Sequence, residues 1–127
     1  MQHTNIVNWF EIPTQDLERA RKFYEHVFNT KLQELQGTST TKMLMFPGNH
    51  AHAGAMGTLI HSETILPSQH GTVVYFHCQD LSEELGRVEA NNGKILLPKT
   101  AIGDGENGYI AHFSDTEGNR VALHSEK

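Results

Sequence analysis

The sequence predicts an α+β protein made of two tandem βαβββ modules, and three observations carry that prediction. The first is an internal repeat. Trp9-Phe10-Glu11-Ile12-Pro13-Thr14-Gln15-Asp16-Leu17 reads as an alternating strand passing through a proline turn into a helix start, and the same course returns at Val73-Val74-Tyr75-Phe76-His77-Cys78-Gln79-Asp80-Leu81. Gln15, Asp16 and Leu17 recur as Gln79, Asp80 and Leu81, an offset of 64 (79 − 15). The second observation is the apolar period, which changes from two residues to three or four after each corner. The third is length. At 127 residues the chain suffices for one sizeable core, so the halves are modules that each bury an apolar face neither could cover alone, and not separate domains.

The first module covers residues 1–61. From Ile6 to Ile12 the residues alternate, with Phe10 and Ile12 on one face and Trp9 and Glu11 on the other, as in a strand with one face against helices. Pro13 ends that strand. Asp16 is placed to cap a helix whose apolar residues Leu17, Ala20, Tyr24, Val27 and Phe28 recur at helical spacing, and Asn29 stops it. Strands are expected at Lys31–Leu35, Thr41–Phe46 and Ala55–Ile60, separated by Gly37 and by Pro47-Gly48-Asn49. Residues 62–69 have no clear period and read as a linker.

The pattern then restarts in the second module, residues 70–127. Val74, Phe76 and Cys78 share one face of a strand, and Val73, Tyr75 and His77 share the other. Asp80 with Glu83 has the form of a capping box, opening a helix with Leu81, Leu85 and Val88 on its buried stripe. Asn91-Asn92-Gly93 supplies a left-handed cap. Strands follow at Lys94–Pro98, Tyr109–Ser114 and Arg120–His124, the last two joined by a turn at Asp115-Thr116-Glu117-Gly118-Asn119.

Ten Lys and Arg against fifteen Asp and Glu give a net charge of −5, with no basic block to track a phosphate backbone, so nucleic-acid binding is not expected. No apolar run reaches the roughly 18 residues of a membrane span, and the N-terminus lacks a signal-peptide pattern, so a cytoplasmic protein is expected. The one cysteine, Cys78, cannot form an internal disulfide and reads as a small buried hydrophobe. Nine histidines stand out, because imidazoles bind metals and move protons near neutral pH.

Two βαβββ units in tandem resemble the vicinal oxygen chelate superfamily, which includes glyoxalase I, extradiol dioxygenases, fosfomycin-resistance transferases and bleomycin-binding proteins. The resemblance covers essentially the whole chain. It rests on Trp9-Phe10-Glu11-Ile12-Pro13 leading to Asp16-Leu17-Glu18-Arg19-Ala20-Arg21-Lys22-Phe23-Tyr24-Glu25, and on Asp115-Thr116-Glu117-Gly118-Asn119-Arg120 followed by Leu123-His124-Ser125; these look most like an uncharacterised glyoxalase-like branch. The resemblance implies a cup-shaped, curved mixed sheet with helices on the outside, a small-molecule ligand within the cup, and assembly as a homodimer. It also implies, for catalytic members, one divalent metal held from the first and last strand of each module. Carried over residue by residue, those positions are Trp9, Thr58, Val73 and Ala122, with a register slip of a residue or two allowed at Thr58. None is a His, Asp or Glu. A tightly held divalent metal needs oxygen or imidazole donors at about 2.0 to 2.2 Å, so no cofactor is expected at the family's metal positions.

The two-residue period places Glu11, Tyr75, His77 and His124 in phase with those four positions. Glu11 and His77 are the candidate catalytic acid and base, one a carboxylate raised by desolvation and the other an imidazole near neutrality. Trp9, Tyr75 and His124 are the candidate substrate-binding residues, with the indole as a flat apolar wall. Glu11, His77 and His124 could instead form a displaced site for a divalent metal, with His61 entering the cup only if the register slips by one. The alternatives are structural: an ion-paired Glu11, a solvated His124, and a Trp9 that closes the sheet. His50 and His52 belong to a solvated hairpin, and Gly103-Asp104-Gly105-Glu106-Asn107-Gly108 reads as a flexible loop at the cup's mouth. His3, His26, His70 and His112 have no partner that the sequence names, and Glu25 falls with His26 on the exposed side of its helix. The expected function is therefore binding, with possible turnover, of a small organic molecule; a metal-dependent lyase or dioxygenase and a binding-only sequestering protein are the alternatives.

Overall fold

A computed structural model describes residues 5–38 and 40–127; His3 lies outside the described residues. Each half follows the expected order. The first module runs β1 (Trp9–Pro13), α1 (Leu17–Val27), β2 (Gln33–Leu35), β3 (Thr41–Met45) and β4 (Met56–Ser62). The second runs β5 (Tyr75–His77), α2 (Leu81–Val88), β6 (Lys94–Ala101), β7 (Tyr109–Ser114) and β8 (Arg120–Ser125). The sheets have strand orders β1-β4-β3-β2 and β5-β8-β7-β6. In each, the first strand lies parallel to the last and the other pairings are antiparallel, so both are mixed sheets. Registers agree as well. Glu11 pairs with Thr58 and Tyr75 with Ala122, so both partners carry the same offset of 64 (75 − 11 and 122 − 58) and no slip separates the modules.

The helix ends follow from their caps. The Asp16 side chain accepts the Arg19 N–H at 3.0 Å, and the Asp80 side chain accepts the Ser82 N–H at 2.9 Å. Glu83 is exposed; Asp80 turns instead to Lys99 Nζ at 3.1 Å, so the cap is an Asp bonded one residue earlier than a capping box would be. Asn29 (φ 50°) and Asn92 (φ 73°) take the left-handed conformation that ends each helical segment, the second after a 3₁₀ turn at Glu89–Asn91. Glu25 departs from expectation. Its carboxylate folds back to accept the Leu32 N–H at 2.9 Å and is mostly buried.

A single hydrophobic cluster unites the halves. Phe23, Tyr24 and Val27 of α1 and Leu81, Leu85 and Val88 of α2 pack on Ile12, Leu44, Leu59, Phe113, Val121 and Leu123 of the two sheets. Each such side chain contributes about 1.5–3 kcal/mol when fully buried. At the junction of β1 and β5, the Phe10 and Phe76 rings meet edge to face at 5.8 Å. Gly57 makes this possible: a Cβ there would stand 2.4 Å from the Phe10 ring.

The β7–β8 turn fastens the modules together. Glu117 Oε1 accepts the Gln15 and Asp16 N–H groups, both at 2.8 Å, ahead of the start of α1, and its other oxygen pairs with Arg19 Nε at 2.7 Å. Asn119 donates to the Pro13 carbonyl at 2.8 Å, and Tyr24 donates to Asp115 at 2.6 Å. Burial alone would raise the Glu117 carboxyl; the Arg19 guanidinium and the two backbone N–H groups outweigh it and hold the group below its ordinary value. The acidic turn is thus a structural clasp.

Candidate functional site

Register assigns every strand side chain to a face. In the first module the residues turned away from the helices are Trp9, Glu11, Met43, Met45, Met56 and Thr58, with their in-phase neighbours. Apolar residues predominate on this inner face, and Glu11 is its one carboxylate. Trp9 remains 37% exposed, a flat surface that the chain's own core does not use. In the second module Tyr75, His77, Ile110, His112, Arg120, Ala122 and His124 share the inner face. No acid stands among its strand residues.

The five candidate residues fall into two groups. Tyr75, His77 and His124 lie together on the second inner face, with His77 directly opposite His124. Trp9 and Glu11 lie on the first, where Glu11 neighbours Thr58 and Met45. Glu11 and His77 are both exposed, and neither a hydrogen bond nor an ion pair joins them. His61 leaves the cup. The absence of a slip places it on the helix side, pairing with Lys42, where its Nδ1 meets the Thr14 carbonyl at 3.0 Å. A carbonyl only accepts, so this nitrogen carries the proton.

His124 is tied down rather than solvated. Its Nε2–H donates to the Asn107 carbonyl at 2.9 Å. The loop 103–108 is therefore latched to β8, and Gly108 (φ 87°) approaches so closely that a Cβ would meet the Ser125 carbonyl oxygen at 2.3 Å. The glycines here serve a tight return as well as any motion.

Sequence reasoning missed a hydrogen-bonded polar group on the inner face. Tyr75 Oη lies 2.8 Å from His112 Nε2, and His112 Nδ1 lies 3.1 Å from Arg120 Nη1. A guanidinium is only a donor, so Nδ1 presents its lone pair, Nε2 carries the hydrogen, and that hydrogen is given to the Tyr75 oxygen. Burial, and then the Arg120 charge, hold His112 below the ordinary imidazole value, in keeping with this neutral tautomer. The signal was present in the sequence: a turn centred on residue 117 pairs residue 112 with residue 122 and so turns His112 inward.

The positions at which the resemblance implies a metal do not fit one. Thr58 and Ala122 are fully buried, and Trp9 and Val73 carry no donor for a divalent cation. Among the described residues, no three of His, Cys, Asp and Glu converge into a cation site. Cys78 is buried, and its thiol is pushed up to about 12 by burial and then by the Glu84 carboxylate, so it is no nucleophile at neutral pH.

A pair of mixed four-stranded sheets, each with its first strand laid parallel to its last and a helix on its outer side, defines the paired-βαβββ class. The chain belongs to the Glyoxalase/Bleomycin resistance protein/Dioxygenase superfamily, whose model matches residues 6–123. It is 33% identical over 119 residues to a glyoxylase-like domain-containing protein of Didymella fabae, covering 92% of this chain and 91% of that one. Its fold is similar to a mutant of glyoxalase I from Zea mays, with a TM-score of 0.69 and 20% identity over 94% of this chain. The chain spans only 45% of the length of that maize protein. It is similar across 98% of both chains to TnmS3, an antibiotic binding protein from a Streptomyces species, with a TM-score of 0.71 and 21% identity. At that identity these structures show the fold alone. No helix of the described residues is long and apolar enough to cross a membrane.

Proposed function

We propose that the protein binds a small organic molecule on its inner faces without a metal. One observation carries this reading: the equivalent positions of the two modules hold Trp9, Val73, Thr58 and Ala122, none of which is the His, Asp or Glu that a tightly held cation would need. The exposed aromatics support it. Trp9 at 37% and Tyr75 at 47% exposure present planar surfaces, with Met56 paired to Trp9 and lining a pocket with Tyr75, a combination suited to an apolar or aromatic ligand. TnmS3, an antibiotic binding protein with this fold, is in keeping with a binding role. A second copy of the chain completing the cup, and a cytoplasmic setting, belong to the same proposal.

Glu11 and His77 are the acid and base that turnover would use, and Glu11→Gln separates the two activities: it abolishes turnover and spares binding. The reading itself is tested by a thermal-shift screen of chelator-treated protein against a library of planar and alicyclic organic molecules. Hits that raise the melting temperature and lose their effect in a Trp9→Ala, Tyr75→Ala variant support it. Hits that act only after a metal is added, or equally on the variant, overturn it.

A further inference from the structure

Arg120 is a half-buried cation without an acidic partner. Among the described residues the ion pairs are Arg19–Glu117, Arg21–Glu18, Lys31–Glu25 and Lys99–Asp80. Among the described residues the Arg120 side chain makes one hydrogen bond, to His112 Nδ1. A guanidinium has five N–H donors in a planar fork, so four are left for another acceptor. Tyr75 completes the arrangement. Its oxygen already receives the His112 Nε2 hydrogen, which leaves its own O–H free to donate.

The relay therefore has a polarity. Arg120 fixes the tautomer of His112, His112 fixes the phenol, and every uncommitted hydrogen at the end of this chain of bonds is a donor. Its own sheet adds no acid: the neighbouring inner-face side chains His77 and His124 are imidazoles, and β5, β7 and β8 bring no carboxylate to this face. This occurs in a chain whose net charge is −5. Arg120 also stands at the edge of the apolar first module, since it and Glu11 line one narrow crevice of about 40 Å³ between them. Glu11 makes no ion pair with it.

We propose that Tyr75, His112 and Arg120 form a receptor for a carboxylate, and that the ligand of the inner faces is an apolar organic acid. A carboxylate has the planar pair of acceptors that a guanidinium fork and a phenolic O–H can share, and its charge-assisted bonds are roughly twice as strong as neutral ones. The apolar body lies toward Trp9 and the methionines. Tyr75 and Arg120 are specificity-determining residues that touch the ligand; His112 positions them. This inference rests on the binding reading above and adds the charge and chemical class of the ligand.

The test is isothermal titration calorimetry of the full chain with three acids, benzoate, cyclohexanecarboxylate and 2-naphthoate, each against its primary amide. The acids are expected to bind at least about tenfold more tightly than the amides. Arg120→Gln and Tyr75→Phe are each expected to shrink that ratio toward one by weakening the acids more than the amides. Tyr75 is exposed, so its variant keeps the fold even if the arginine change perturbs β8. Nitrogen-15 spectra of the histidine rings provide the second readout, with His112 expected as the neutral Nε2–H form before and after acid is added. Amides that bind as well as acids, or a preference that survives both substitutions, overturn the receptor and leave the binding reading standing. Binding of neither series would defeat both.

Discussion

Tyr24, in the middle of the first helix, donates a 2.6 Å hydrogen bond to Asp115, ninety-one residues later at the end of β7, and both groups are buried. The bond crosses the module boundary, so it reports on docking of the halves. Burial raises the Asp115 carboxyl above its ordinary value, while the Tyr24 and Asn119 donors oppose that rise. Tyr24→Phe removes one donor and leaves a buried carboxylate short of a partner, at an expected cost of about 1–3 kcal/mol in urea denaturation at pH 7. The sign with pH follows. Without the tyrosine the carboxyl protonates at a higher pH still, so the deficit narrows as the solution is acidified through that range. A deficit that is constant with pH would show that packing, not charge, is what the substitution disturbs.

The Glu117 carboxyl is shifted in the opposite direction from that of Asp115. Its folded-state pKa is depressed, so its contribution is fully present above the ordinary carboxylate value and is lost as pH falls through the folded value. Glu117→Gln should cost about 2–3 kcal/mol at neutral pH, because two backbone N–H groups and Arg19 lose a charged acceptor. Comparing the variant with the native chain by denaturant titration from pH 7 down to about 3 should show the gap closing. A gap that widens on acidification would reverse the assignment.

The clasp explains what the sequence could and could not disclose. Gln15-Asp16-Leu17 and its echo at residue 79 made the repeat, the helix starts and the face assignments legible, because local period and caps determine them. The Asp115-Thr116-Glu117-Gly118-Asn119 run was legible only as a turn. Its role depends on meeting α1 about a hundred residues away, and no local pattern encodes that meeting. His112 falls between these cases. Its inward direction follows from the hairpin, but its value as a relay needs Tyr75 on a different strand. Loop 103–108 was read as mobile from its glycines; three of them take positive φ, and the loop closes on His124.

The proposed metal-free binding makes a prediction of its own. A cation held only by the native state at a hundredfold excess over its dissociation constant stabilises by about 2.7 kcal/mol, which moves a domain of this size by roughly 10 °C. Chelator treatment should leave the melting temperature unchanged, and zinc, nickel, manganese or iron(II) should raise it by less than that. His50 and His52 are exposed two residues apart and can chelate a surface ion weakly. A His50→Ala, His52→Ala variant removes that contribution. A full-sized shift persisting in the variant would point to a site assembled from Glu11, His77 and His124, and would refute the metal-free reading.

Thr58 offers the most direct test of how the inner face is built. Its hydroxyl is fully buried on β4 opposite Glu11 and has no hydrogen-bond partner among the described residues. Buried hydroxyls are normally satisfied, and leaving one unpaired costs about 1–3 kcal/mol. Valine has nearly the same shape and no such need. Thr58→Val is therefore expected to raise stability by about 1 kcal/mol, read as a higher urea midpoint with an unchanged slope. A loss of stability would mean that the hydroxyl has a partner in solution, a trapped water or a bound small molecule. Repeating the measurement with a carboxylate ligand present separates these: a ligand that bonds Thr58 stabilises the native chain more than the valine variant, whereas a water does not distinguish them.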